Sequence, residues 1–116
     1  MAQVTGIVKI FVNGSLQRSK EGATLDMGGK ERSDVVGHAV YGYTEKVVAS
    51  ACKFTLAHTA DTDLAELNDM VGATLKFETD VGISYLITNA FMIKPCSLGS
   101  GGDVSCEMHG EPAVEE

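Results

Sequence analysis

The sequence predicts a mainly β fold: an antiparallel β-sandwich or small barrel with one flanking α-helix and a long internal arm. Three observations carry that reading. Apolar residues recur at every second position in several short runs, which is the period of a half-buried strand. Turn signals at Asn13-Gly14, Val81-Gly82 and Ser97 to Gly102 separate those runs. A single stretch carries helical spacing, so strands must pair directly with strands rather than through helical crossovers.

Val4 to Val12 is rich in β-branched residues and ends at Asn13-Gly14, the dipeptide that best tolerates the two positive-φ positions of a type I′ turn, so a hairpin opens the chain. From Gln17 to Lys46 the pattern loosens. Gly22, Gly28, Gly29, Gly37 and Gly42 interrupt apolar pieces such as Ala23-Thr24-Leu25 and Val35-Val36, which predicts a long, flexible arm with strand-like stretches. Lys46 to His58 returns to strand character, with Val48, Ser50, Cys52, Phe54 and Leu56 on one face and Lys53 and Thr55 on the other.

Asp61 to Met70 is the predicted helix. Leu64, Leu67 and Val71 share a face, Asp63 and Glu66 have capping-box spacing, and Gly72 stands where it stops the helix. Ala73 to Asp80 and Gly82 to Lys94 read as a hairpin of strands, the second carrying Ile83, Tyr85, Ile87, Phe91 and Ile93 on one face. A last strand alternates Val104, Cys106 and Met108 with Ser105, Glu107 and His109, and Glu111 to Glu116 reads as a frayed acidic tail.

Size and charge narrow the function. At 116 residues the chain is expected to be one domain, residues 1–116, and its 44% hydrophobic and 22% charged content supports a packed core rather than disorder. A net charge of −7 poorly supplies the phosphate neutralisation that dominates nucleic-acid affinity, although a like-charged wall leaves a polyanion free to slide. Met1 to Gly6 lacks the basic segment of a secretion signal, and no apolar run approaches the roughly 18 residues of a membrane helix. Cys52, Cys96 and Cys106 are odd in number and form no CxxC pair, which argues against a disulfide framework or zinc knuckle and for a reducing cytoplasm.

No catalytic constellation emerges. Gly28-Gly29-Lys30 is not a phosphate loop, because Thr24 stands where its first glycine belongs and Glu31 replaces the magnesium-binding hydroxyl. Gly99-Ser100-Gly101-Gly102 is not GxSxG, and reads as a loop between strands. Ala65 denies His58, Asp61 and Asp63 an EF-hand ligand, and helix capping explains both aspartates. His38 and His109 have no ligand spacing with anything. The expectation is a protein with no cofactor, no metal and no enzymatic activity. The arm is the informative feature, since a stretch this long with Leu25, Met27, Val35, Val36, Val40 and Tyr41 is too apolar for a solvated linker. Contact with another subunit is the expectation that follows.

Val8-Lys9-Ile10-Phe11-Val12-Asn13-Gly14, Lys20-Glu21-Gly22-Ala23-Thr24-Leu25 and Gly28-Gly29-Lys30-Glu31-Arg32 resemble the Mu-like tail tube proteins of contractile bacteriophages. The likeness continues in order through Val40-Tyr41-Gly42-Tyr43-Thr44-Glu45-Lys46, His58 to Leu64, Phe77-Glu78-Thr79-Asp80-Val81-Gly82 and Asn89-Ala90-Phe91, over nearly the whole chain. The resemblance implies a virion protein, assembled in the host cytoplasm, whose hexameric rings stack into an inner tube for DNA ejection. It implies sheet edges pairing between neighbours around a continuous inner barrel, with sheath, baseplate, tape-measure and tail terminator proteins as partners. DNA would pass without sequence-specific binding, and no membrane partner is implied.

By position and chemistry, Gln17 to Lys46 is the expected inter-ring arm, through Leu25, Met27, Gly28, Gly29, Lys30, Glu31, Val35, Val36 and Tyr41, with Met27 to Glu31 at or near its tip. Glu78 and Asp80, opposite in face to Leu75 and Phe77, are the expected lumen-facing acids. Two other readings stay open: the tube of a related contractile secretion system, and a small β-rich binding module with an apolar pocket.

Overall fold

The computed structural model describes residues 2–60 and 62–116 and orders them as eleven strands and one helix among the described residues. Asn13 and Gly14 take φ of 52° and 84°, so β1 (Val8–Val12) turns directly into β2 (Ser15–Leu16). β3 (Thr24–Asp26) follows, then β4 (Gly29–Val36), β5 (Val40–Val48) and β6 (Ser50–Ala57). After α1 (Leu64–Asn68) come β7 (Ala73–Thr79), β8 (Ser84–Met92), β9 (Ser97–Leu98), β10 (Asp103–Gly110) and β11 (Val114–Glu115).

All strand pairs are antiparallel, and the main sheet runs β2-β1-β7-β8-β10-β6-β3, with β11 added to β8 and β9 to β10. The segment after β2 brings the two ends of this order together. Gln17 donates its N–H to Ile10 in β1, while Lys20 donates to Thr55 and Ala57 donates to Arg18 across β6. Hydrogen bonding therefore runs around one core, which limits the exposed edges through which sheets aggregate.

Alternation becomes burial most cleanly in β6 and β10. Ser50, Cys52, Phe54 and Leu56 point inward from β6, and Val104, Cys106, Met108 and Gly110 from β10. Ile10 and Val12 of β1, Leu75 and Phe77 of β7 and Ile87 of β8 complete the interior with Leu67 of the helix.

β8 departs from simple alternation. Between Leu75↔Ile87 and Ala73↔Ala90 two steps on β7 face three on β8, and Asn89 adopts φ 53° at this bulge. Ile87 and Ala90 consequently both face the core, and the expected shared face is broken: Phe91 and Ile93 turn outward. Past the bulge β8 pairs with β10 through Met92↔Met108 and Phe91↔His109, so the bend is where it leaves one neighbour for the next.

The helix is shorter than the Asp61 to Met70 span the spacing predicts, and Asp61 lies outside the described residues. Asp63 caps it, its carboxylate accepting from the Glu66 N–H at 3.1 Å. Met70 rather than Val71 completes the inner face with Leu64 and Leu67, because the chain leaves helical geometry at Asp69 and the Met70 carbonyl accepts from Met92 N–H. Val71 is left 78% exposed.

The predicted strand from Lys46 to His58 is two strands in different sheets. It divides at Ala49: Val48 belongs to the separate two-stranded sheet β4-β5, Ser50 to the core sheet. The acidic terminus, expected to fray, is instead paired as β11 through Val114↔Leu86 and Glu115↔Tyr85.

Candidate functional site, the projecting hairpin and its root

β4 and β5 pair from Gly29↔Val48 to Val36↔Val40, and none of their residues is buried. The radius of gyration is 17.0 Å over extents of 62 × 40 × 25 Å, against about 13 Å for a compact chain of this length. The hairpin supplies that elongation, since strands of eight or nine residues reach about 27–30 Å.

The arm is therefore a regular hairpin rather than a flexible loop, and its tip is elsewhere than expected. The chain reverses at 37–39, where Gly37 N–H meets the Ala39 carbonyl at 2.9 Å. Met27 to Glu31 form the root. Leu25 and Gln17 to Asp26 generally lie outside the projection, with β3 paired to β6 and Leu25 packed against the core.

Gly28 makes the root possible. It has φ 71°, and a Cβ there would lie 2.6 Å from the Ser50 backbone nitrogen and 2.8 Å from both the Ala49 carbonyl carbon and the Val48 oxygen. Only glycine permits both the left-handed conformation and this backbone approach. The C-terminal segment fastens the same place: Ala113 N–H donates to the Met27 carbonyl at 2.8 Å, and Ser50 Oγ to the Glu111 carbonyl at 2.6 Å. Thr88 Oγ1 reaches the Glu111 carboxylate at 2.8 Å, tying that segment to β8. Composition at the terminus gave no hint of this fastening, because its contacts are mostly backbone.

One face of the hairpin mixes exposed aromatic and apolar side chains with charged ones. Tyr41, Tyr43 and Val47 alternate along β5 with Glu45 between them, opposite Asp34, Arg32 and Lys30. Val40 and Val47 are 73% exposed, and Tyr41, Tyr43 and Val36 are 61% exposed. Arg32 lies over the Tyr43 ring at 5.7 Å, Lys30 pairs with Glu45 at 3.5 Å, and Tyr41 shares a 2.8 Å hydrogen bond with His38 Nδ1. Each such exposed contact contributes only about 0.2–1 kcal/mol, and a lone two-stranded hairpin is marginal in water. Tyrosines and valines are thus left exposed among paired charges on a strand pair that packs against no core. Val35 lies on the opposite face, paired with Gly42.

The proposed lumen acids occupy unequal positions. Glu78 is half-exposed on the outer face of β7, 3.7 Å from Lys76 and paired in register with Lys9. Asp80 sits beyond the strand, its carboxylate accepting from Gly6 N–H at 3.2 Å. Lys76 also lies 3.7 Å from Glu116, so cations and carboxylates are interleaved there.

Outside the hairpin, His109 and Glu107 pair with each other. His109 Nε2 lies 2.7 Å from a Glu107 carboxylate oxygen, a hydrogen bond that lowers the Glu107 pKa below the usual carboxylate range. Burial pushes the Cys52 thiol up to about 12, out of the range of a nucleophile. Among the described residues no three His, Cys, Asp or Glu side chains group as metal ligands. A surface groove of about 690 Å³ between the first turn, β6 and the helix is lined by Asn13, Gln17, Arg18, Asp63 and Glu66 as well as Leu16 and Met70. It lacks the enclosed apolar character that a small-ligand module requires. Gly28-Gly29-Lys30 opens a strand, with no helix behind it to receive a phosphate.

A β barrel that carries a bare hairpin with exposed tyrosines and valines has the form of a structural subunit. Its sequence identifies which kind. Residues 1–115 match the family model for the phage tail tube protein, and the chain belongs to that family. It is 37% identical over 106 residues to the Mu-like prophage FluMu tail tube protein of Haemophilus influenzae, covering 91% of this chain and 90% of that protein. It is 30% identical over 103 residues to the tail tube protein of Escherichia phage Mu, covering 89% and 86% respectively.

Proposed function

We propose that the chain forms the inner tube of a contractile tail, as hexameric rings that stack into the conduit for DNA ejection, and that the β4-β5 hairpin is the contact from one ring to the next. The observation that supports this reading is the stripe of Val36, Tyr41, Tyr43 and Val47, held clear of the core on a strand pair that buries nothing in the single chain. A neighbouring ring supplies the missing apolar partner. Sheath, baseplate, tape-measure and tail terminator proteins are the partners of such a tube, with assembly in the host cytoplasm before the tail joins the virion. Sedimentation and electron microscopy over a concentration series test it: rings and then tubes are expected as concentration rises. A chain that stays monomeric at every concentration, with baseplate components added, refutes it.

Glu78 and Asp80 are the proposed lumen residues. The net charge of −7 supports a channel that repels DNA and leaves it mobile. Two charges at 4 Å interact by only about 1 kcal/mol in water, and screening sets in over about 8 Å, so the effect per residue is small and accumulates along the tube. Glu78→Lys combined with Asp80→Lys is expected to leave tubes intact and to slow DNA ejection, more at low salt than at high. Unchanged ejection kinetics at low ionic strength from well-formed tubes remove both residues from the lumen.

A further inference from the structure

Cys96 and Cys106 meet on the barrel, away from the arm. β9 pairs with β10 through Ser97↔Ser105 and Leu98↔Val104, and one further step of that register sets Cys96 opposite Cys106. Gly99 donates its N–H to the Asp103 carbonyl at 2.8 Å, a hydrogen-bonded pair. Two steps along, Ser97 and Ser105 fall at the next such position, so Cys96 and Cys106 occupy a non-hydrogen-bonded one. There opposed Cα atoms stand about 4.5 Å apart, within the roughly 4.4–6.8 Å that a disulfide spans. The two sulfurs are already 3.3 Å apart.

We propose that Cys96 and Cys106 are a modification site, a dithiol that closes to an intrachain disulfide on meeting a small-molecule disulfide and reopens in excess thiol. Cys96 is half-buried while Cys106 is buried, which fixes the order of events. The Cys96 thiolate attacks one sulfur of the external disulfide, expelling a thiolate and forming a mixed disulfide. The Cys106 thiol then gives up its proton and attacks the Cys96 sulfur, expelling the second thiolate. The chain is oxidised by two electrons and loses two hydrogens, and the external disulfide is reduced to two thiols. Burial, then the neighbouring Cys96, holds the Cys106 thiol above its ordinary pKa, so this second step is the slower one. Contact between the sulfurs favours it over escape of the mixed disulfide.

The bond would join more than two strands. Cys96 N–H donates to Asn68 Oδ1 at 2.8 Å, and Asn68 is the last residue of α1. Closure therefore anchors the segment beneath the helix to β10. A thiol-rich cytoplasm keeps the pair open, and an oxidising exterior closes it. Neither step depends on ring stacking, so the site stands or falls separately from the tube assignment.

Glutathione disulfide is the probe, applied to the full chain at neutral pH. The expected product has the intact mass less two hydrogens, a Cys96–Cys106 cross-linked peptide, Cys52 still open to alkylation after denaturation, and a Tm raised by about 5 °C. Dithiothreitol should reverse all of these, and Cys96→Ser should abolish the mass loss and the Tm rise while remaining folded by circular dichroism. A persistent glutathione adduct on Cys96, a covalent dimer, or an unchanged mass after prolonged exposure overturns the proposal.

Discussion

Replacing Gly29–Val48 by a short Gly/Ser linker is expected to leave a folded barrel that no longer stacks. The two ends of the excised hairpin are register partners, Gly29 opposite Val48, so their Cα atoms lie about 4.5–5.5 Å apart and a few residues bridge them without pulling on β3 or β6. No residue of the hairpin is buried, and its cross-strand contacts are solvent-exposed. Stability should therefore change by no more than about 1 kcal/mol, with circular dichroism native-like. Assembly should be lost altogether, because the excision removes Val36, Tyr41, Tyr43 and Val47 together, and apolar burial contributes about 25 cal/mol per Å² of contact. Sedimentation reads the result. Full tubes from the shortened chain would show that the hairpin is not the inter-ring contact, and an unfolded product would show that the barrel depends on it.

The parts of this molecule legible in the sequence are those where a local rule decides. Asn13-Gly14 announced its turn through the backbone angles it allows, and β6, β7 and β10 showed the core through period two. Asp63 announced the helix N-terminus, though not its length. Three features escaped because two structures share one pattern. Val48 and Ser50 have the same parity, so nothing at Ala49 tells one strand from two. The bulge at Asn89 adds a residue silently and reverses every side chain beyond it. The third is the arm's tip.

Gly28-Gly29 looked like the reversal and is the root, while the reversal falls at Gly37-His38-Ala39. A glycine pair signals left-handed backbone, which a chain entering a hairpin needs as much as one turning at its end. Pairing lengths would have separated the two, since eight residues on either side of 37–39 can align and no such match surrounds 28–29. The charge around Glu78 was half legible: Lys76 stands two residues away on the same strand, whereas Lys9 reaches Glu78 only through the pairing of β1 with β7.

Gly28→Ala is expected to be the most damaging small substitution at the arm, costing on the order of 3 kcal/mol or more, and Gly29→Ala supplies its control. Both glycines have positive φ, 71° and 113°, so both variants carry backbone strain. They differ in space. A Cβ at position 29 meets nothing within 4 Å, whereas one at position 28 meets only backbone, at 2.6 Å from Ser50 N and 2.8 Å from its two other neighbours. Backbone cannot rotate away as a side chain can. Relief requires Ser50 to move, yet Ser50 is fully buried and donates to the Glu111 carbonyl, and the adjoining Ala113 holds Met27. Losing such a buried hydrogen bond adds about 1–3 kcal/mol, while Gly29→Ala should cost only about 1–2 kcal/mol through its backbone angle. Urea denaturation of the two variants separates the effects. The root is also the pivot of the hairpin, so Gly28→Ala should redirect the arm and suppress stacking even where the barrel remains folded. Equal midpoints for the two variants would mean that Gly28 is not pressed against Ser50, and the hairpin's direction would then have to be set by the C-terminal clamp alone.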